Sequence, residues 1–586
     1  MALVLALACS AGSEDDDGTG GSSSSGTGAS SSGTGGGTSS GIGGLDLDAG
    51  NSDANESFGC SADLQYVIDG NGVILETCWP DLGCSNGECV PPCQAAADSQ
   101  GNVSCSFMVA TPHFYVGITP PCFAVFLANN WPKDAQITIE RGGQTYDVTQ
   151  WGRIPDNQNT APSWPTVPGT GLPPSQVAVL FLSHDPTSNN AGPLTCPVNV
   201  SVNGPNGSAV VGSGIGQALK LTSNIPLSAY DILPYGGASS YLPSAELLLP
   251  TTAWGTNYVA VTPRPSSGPP WGQLVASENN TAIDIVPPIN LPAAGTVPAA
   301  PANQVTSFTL NAGEYVQWQL QSGQEMSGTV IQADKPVAFT GGDAYICYQS
   351  ATSTGGGCDS AHQMIPPVSA QGMEYVAPPY ADRGTVPESI FYRIVGAVDG
   401  TQLIYDPPVP GPATINSGQV VDFETVGAFT VTAQDTDHPF YVGQLMSGCN
   451  VQGGGGLGDE EFVNILPPAQ FLNKYVFFTD PTYPTTNLVV TRVNNGDGFK
   501  DVSIDCLGAV TGWQPVGTGG RYEVTNVDLI RLGVPNGTCN NGPHTAESDG
   551  PFGIMVWGLD NYSSYAYPAG GSVAPINTVV VPPTPK

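Results

Sequence analysis

Residues 334–376 read DKPVAFTGGDAYICYQSATSTGGGCDSAHQMIPPVSAQGMEYV. Pro336 leads an apolar strand pattern (Val337, Phe339), Cys347 and Cys358 bracket a Ser/Thr/Gly-rich insert, and Pro367 is followed by Tyr375. Proline at the start of a strand removes no ladder hydrogen bond, and an Asx residue shortly before it closes the preceding turn. The same pieces recur along the chain. SNIPLSAY, ADKPVAFTG, TDHPFYVG and SDGPFGIMVWG carry Pro226, Pro336, Pro439 and Pro551 at intervals of about 110 residues. The stretch is therefore the seam between two copies of one unit.

Two further patterns keep the same order. A strand, an Asn/Asp/Gly turn and a second strand recur as FLANNWPKDAQITIE, LVASENNTAIDIV, RIVGAVDGTQLIY and VTRVNNGDGFKDVSID. Alternate residues of each second strand are apolar (Ile137/Ile139, Ile283/Ile285, Leu403/Tyr405, Val502/Ile504), the period of a strand with one buried face, so four hairpins are expected. An apolar run ending in proline precedes a tyrosine at the same spacing in Pro250/Tyr258, Pro367/Tyr375 and Pro467/Tyr475. Phe107-Met108-Val109-Ala110-Thr111-Pro112 opens the first unit as a shorter version, and Asn577-Thr578-Val579-Val580-Val581-Pro582 follows the last. These patterns predict an all-β fold of four tandem repeat units over residues 106–571. Residues 572–586 would supply a closing strand and tail. Because a terminal strand returning to the first unit removes sheet edges, a propeller-like closed array is favoured over separate β-sandwiches.

Composition agrees. The 586 residues include 75 Gly and 54 Pro but only 11% charged residues, which suits short strands and many turns. With 14 Lys plus Arg against 49 Asp plus Glu, the formal net charge is -35, so nucleic acid is excluded as a partner. The 14 cysteines point to an oxidising compartment and hence to export.

The N-terminus fits export. Met1 to Ala8 is a short apolar run before Cys9, resembling the lipobox of bacterial lipoproteins, in which that cysteine is acylated. Residues 1–9 are then a lipoprotein-type signal, with an ordinary secretory signal as the alternative. Residues 10–58 are a Gly/Ser/Thr-rich linker with little to bury and an average reach of roughly 40 Å. No stretch is long and apolar enough for a membrane-spanning helix, so membrane contact is expected through the lipid alone. Residues 59–105 hold Cys60, Cys78, Cys84, Cys89, Cys93 and Cys105. So small a module is expected to be stapled by three disulfides of undetermined connectivity. Zinc is the rival reading, weakened because no histidine lies inside it. Further along, Cys122/Cys196, Cys347/Cys358 and Cys506/Cys539 are candidate pairs by proximity, leaving Cys449 either buried as a thiol or paired across a seam.

Four motifs carry a family resemblance: GSGIGQALKLTSNIPLSAYDILPYGG (212–237), LLLPTTAWGTNYVAV (247–261), CDSAHQMIPPVSAQGMEYV (358–376) and EFVNILPPAQFLNKYVFF (461–478). In this order they resemble the bacterial members of the family named after the N-terminal domain of IgGFc-binding protein. The resemblance implies an extracellular, surface-displayed β domain with a binding or adhesive role and no established enzymology. It supplies no residues for immunoglobulin binding. The anchor, linker, cysteine-rich module and repeats together also resemble surface lipoproteins of the myxobacterial type.

Catalytic signatures are missing. His113, His184, His362, His438 and His544 show no metal-ligand spacing, and no phosphate loop or nucleophile elbow occurs. Gly212-Ser213-Gly214-Ile215-Gly216 precedes a strand pattern and reads as a turn. Asp359 and His362, beside the Cys347/Cys358 insert, form the sharpest polar constellation and the candidate ligand-contact loop. Asp435-Thr436-Asp437 and Asp459-Glu460-Glu461 are acidic clusters without a complete calcium-loop spacing, better read as solvated turns. No cofactor, no metal and no catalytic residue are expected. The function expected is a binding or adhesion protein at the outer membrane or cell surface, directed to an extracellular protein or glycan. A self-associating envelope protein is the alternative, and a secreted hydrolase the weaker one.

Overall fold

The computed structural model describes residues 58–585, apart from 62, 71–72, 116, 157–159, 188–193, 238–239 and 241. Cys9 and the linker up to residue 57 lie outside the described residues. The fold is all-β, with only short helices, among them Pro92–Ser99 and Val148–Trp151.

One long strand organises each unit. In the second unit it is Val330–Ile346. Its first half pairs with Gly255–Val259 on one edge and Thr281–Val286 on the other, and its second half pairs with Pro270–Ala276 and Asp359–Ile365. Two short sheets thus share one strand and curl around a common core as a half-barrel. The arrangement repeats in the first unit around Leu219–Leu233 and in the fourth around Gly542–Asp560. In the third unit the long strand is interrupted, leaving Phe429–Thr432 in one sheet and Phe440–Met446 in the other.

This sharing corrects two expectations. Pro226, Pro336 and Pro551 do not open strands; they sit inside the long strands, at the corner where the chain leaves one sheet and joins the next. The ladder is interrupted there, so the missing N–H goes unmissed. The four strand-turn-strand segments are not hairpins either. Pro270–Ala276 and Thr281–Val286 pair with different halves of the same long strand, so the Asn/Asp/Gly turn carries the chain from one sheet to the other. The alternation matches burial: Ile137, Ile139, Ile283, Ile285, Leu403, Val502 and Ile504 are buried, and Tyr405 is half-buried.

The proline and tyrosine patterns meet at the same corner. After Pro250, Pro367 and Pro467 comes one 3-10 turn, and then the tyrosine. The Tyr258 hydroxyl donates to the Val337 carbonyl at 2.7 Å and accepts from the Gly255 N–H at 2.9 Å. Tyr375 does the same with Phe440 and Gly372, and Tyr475 with Phe552 and Leu472. Each acceptor is the carbonyl of the residue directly after the corner proline. The Phe107–Pro112 run is Tyr-less at this position: Phe107 lies within the opening strand Ser104–Val109 itself.

Apolar cores run from unit to unit. Phe126 of the first unit packs on Phe478 of the fourth at 4.8 Å between ring centres, and Tyr230 packs on Tyr567 at 4.6 Å. Phe391, Tyr441, Leu445 and Phe462 of the third unit join the core of the second, and Val489, Met555 and Trp557 of the fourth join that of the third. Arg393, fully buried, pins the second seam, holding Asp422 through two 2.8 Å bonds, Glu325 at 2.7 Å and the Thr262 carbonyl at 2.8 Å.

The cysteine-rich module has a minimal core of Val67, Cys78 and Cys84. Cys60–Cys84, Cys78–Cys89 and Cys93–Cys105 staple it, and Cys122–Cys196, Cys347–Cys358 and Cys506–Cys539 close loops within units. With its cysteines bonded to one another, the module has no thiolates for zinc. Cys449 is buried. The C-terminal segment departs from expectation. Asn102 N–H bonds the Gly571 carbonyl and Val573 N–H the Gln100 carbonyl, but Thr578–Val581 forms no strand on the first unit. It runs instead over the second, where the Asn257 side chain brackets Val581 with bonds of 2.9 and 2.8 Å.

Candidate functional site

The last strand of each unit points to one place. Ser244–Leu247 lies against both Asp359–Ile365 and Ser563–Pro568, and Glu461–Asn464 lies against the same two strands. Where they meet, the side chains are acidic and buried: Asp231, Glu246, Asp359, Asp459, Glu460 and Glu461 are each at most 2% exposed.

Of these carboxyl groups only Glu461 has both oxygens bonded; Asp359 Oδ1, Asp459 Oδ2 and Glu460 Oε2 are buried without a partner. Glu461 accepts from Phe462 N–H at 2.8 Å, from the Ser244 hydroxyl of the first unit at 3.0 Å and from Ala566 N–H of the fourth at 3.2 Å. Asp359 accepts from Ser564 N–H at 3.2 Å, and Ser564 donates its hydroxyl to the Asp459 carbonyl at 2.9 Å. Burial pushes the Glu461, Asp359 and Glu460 carboxyls well up, and the neighbouring Asp459 charge adds to the last two. Asp459 itself is pushed up to about 6 by burial. Asp459-Glu460-Glu461 is accordingly no solvated turn. Asp435 is the exposed one of the two acidic clusters, bonded to His438 at 2.6 Å.

Asp359 and His362, expected together on a contact loop, lie on a strand and are 1% exposed each. Residues three apart on a strand face opposite sides. Asp359 turns to Ser564, while His362 Nε2 meets Asp231 Oδ1 of the first unit at 2.8 Å. An external ligand does not reach either without opening the seam. The Cys347–Cys358 insert instead seals it: Gly357 has φ +60, and a β-carbon there would fall 1.6 Å from Asp459 Oδ2.

His362, Asp231 and Glu246 each offer one ligand atom, all within 4.8 Å of one another. Burial raises the Asp231 carboxyl, and raises that of Glu246 well above the usual range with the Asp231 charge adding. Asp231 and Glu246 were not anticipated, since neither stands in a motif with His362. The other such grouping, Asp505, Cys506 and His544, loses its sulfur to the Cys506–Cys539 bond. His113 is buried and held neutral by it, its pKa lowered to about 4, and the His184 ring accepts from Cys196 N–H at 2.9 Å. A cleft of about 260 Å³ lies between the module and the first and fourth units. Its Lys474 is engaged by Asp63 at 3.0 Å.

Half-barrel β units that repeat in tandem, share buried acidic seams and carry disulfides define a class of repeat-built, disulfide-bonded β protein. The chain belongs to the IgGFc-binding protein family: the family described as IgGFc binding protein matches residues 244–558. It is 25% identical over 417 residues to the human IgGFc-binding protein, covering 69% of this chain and 7% of that protein. The chain thus spans a small fraction of that relative's length. Among the described residues no helix is long and apolar enough to cross a membrane.

Proposed function

We propose that this chain is an extracellular binding protein, displayed at the outer membrane or cell surface through lipidated Cys9, and that it is not an enzyme. Family membership supports the extracellular binding role. The observation that carries it is an apolar edge on the cysteine-rich module. Ile74–Thr77 is the outer strand of a three-stranded sheet, and Val73, Ile74 and Leu75 are 57%, 55% and 50% exposed, flanked by exposed Trp79 and Leu82. An apolar strand with an open ladder edge accepts an extended segment of another protein by strand addition. The partner in this reading is an extracellular protein, with glycans as the second class.

The four units in this reading form a closed, propeller-like ring, with the last strands of the units at its axis; the contacts between the first and fourth units support closure. Small-angle scattering of residues 59–586 then gives a radius of gyration of about 24 Å, the compact-chain value for that length. A string of separate sandwiches gives a much larger one. For binding, the same protein is passed over extracellular proteins, glycans and whole cells, with the Fc of immunoglobulin G in the panel because the human relative bears that name. The expected result is a protein binder lost on Leu75→Lys. Retention of all binding in that variant, or a panel without any binder, counts against the proposal. The exposed edge also favours self-association as a second reading, which sedimentation showing a monomer at high concentration disposes of.

A further inference from the structure

We propose that Asp231, Glu246 and His362 bind one zinc ion, which clamps the first unit to the second from inside the seam. Asp231 and Glu246 are register partners on the antiparallel strands Leu219–Leu233 and Ser244–Leu247. Directly opposed carboxylates on one face repel unless something positive lies between them. His362 arrives from the second unit on Asp359–Ile365 and completes a set of three, with the Trp271 ring 6.3 Å from its own as an apolar wall.

The hydrogen bonding of this set is incomplete. His362 satisfies Asp231 Oδ1, but Asp231 Oδ2 and Glu246 Oε2 are buried with no donor from any other residue, so that without a cation only a proton held between the two carboxyl groups bonds them. Buried polar atoms are nearly always bonded, and a buried charge is paired or coordinates a metal. Among the described residues no Lys or Arg side chain bonds either carboxylate. The further charged groups at this centre are Asp359, Asp459, Glu460 and Glu461, all acidic, and Arg383, which faces Asp459 and is already paired with Glu388 at 2.8 Å. One imidazole nitrogen and two carboxylate oxygens are a zinc ligand set; calcium and magnesium take oxygen alone. A dication brings the formal charge of the two carboxylates to zero. The ligands come from two units, so the ion fixes their relative position, which goes beyond any role in partner binding.

The competing arrangement is a proton shared between Asp231 and Glu246. The full chain, purified without a metal-affinity column, is dialysed against zinc, freed of excess and analysed for bound metal, and in parallel loaded with Co²⁺ for absorption spectroscopy. The expected results are equimolar zinc, a visible Co²⁺ d–d band, and a fall in zinc affinity of at least about ten-fold in Glu246→Gln and in His362→Ala. A folded wild-type chain that retains no zinc and gives no Co²⁺ band overturns the proposal, whether or not the variants fold. So does Glu246→Gln with unchanged affinity, or a metal-free Glu246→Gln more stable than the parent, which marks the shared proton.

Discussion

Replacing Tyr258 with phenylalanine deletes one oxygen and nothing else, yet that oxygen serves two backbone groups. It donates to the Val337 carbonyl at 2.7 Å and accepts from the Gly255 N–H at 2.9 Å, and Tyr258 and Val337 are buried at 1% and 0% exposure. No water reaches the Val337 carbonyl once the hydroxyl is gone, and its neighbour Pro336 has no N–H to share. A buried backbone group left unpaired costs about 1–3 kcal/mol, so two of them, one less deeply buried, cost about 2–4 kcal/mol. The assay is urea unfolding of the full chain followed by tryptophan fluorescence and far-UV circular dichroism, read as the shift in midpoint at constant slope. The fold supplies its own replicate: Tyr375→Phe, which loses bonds to Phe440 and Gly372, should cost a similar amount. The two sites lie in different units, so the double variant should cost their sum within about 0.5 kcal/mol. A loss below about 0.5 kcal/mol for Tyr258→Phe refutes the reasoning, because the corner carbonyl must then find another donor.

Other perturbations test the seams. Arg393→Met strips a buried guanidinium from Asp422, Glu325 and the Thr262 carbonyl; breaking such a pair costs about 3–5 kcal/mol, discounted here because both acids are partly exposed, and equilibrium unfolding measures it. Asp480 is buried, with its carboxyl pushed up from 3.8 to about 6 by desolvation, so the folded chain holds that proton more tightly than the unfolded one. Its contribution is present in full below pH 3.8 and is lost as pH rises through about 6, a change of order 3 kcal/mol at most. Asp480→Asn should flatten that part of the stability profile between those pH values, as pH-dependent urea midpoints will show. Removing the Cys347–Cys358 bond by a double alanine substitution should cost about 2–3 kcal/mol. It should also raise hydrogen exchange first in residues 348–357, which seal the acidic centre.

Much of the unit was legible from residues 334–376 alone. Alternation and Asx/Pro turns report local backbone preference, and repetition multiplied that weak signal four times. The site in this stretch was not legible in the same way. Asp359 and His362 look like a pair in sequence because they are close in number. On a strand the odd spacing sends them to opposite faces, and the histidine's acidic partner, Asp231, is 131 residues away. The two strands read as a hairpin failed for a related reason: turn residues specify a reversal, but not which sheet each strand joins afterwards.

The sequence by itself determined the all-β class, the four-fold repetition, the recurring prolines, though not their place at the corners, and the candidate disulfide pairs of the repeats. Each of these rests on short-range chemistry that recurs. Tertiary structure alone decided that each long strand serves two sheets, that the corner carbonyls belong to Tyr258, Tyr375 and Tyr475, and that six carboxyl groups converge in one buried place. Those facts depend on how the last strands of separate units meet, and such contacts leave no period in the chain. Burial, which turns Asp231, Glu246 and His362 from ordinary surface residue types into an incompletely bonded set, is a property of the assembled units and of no single stretch.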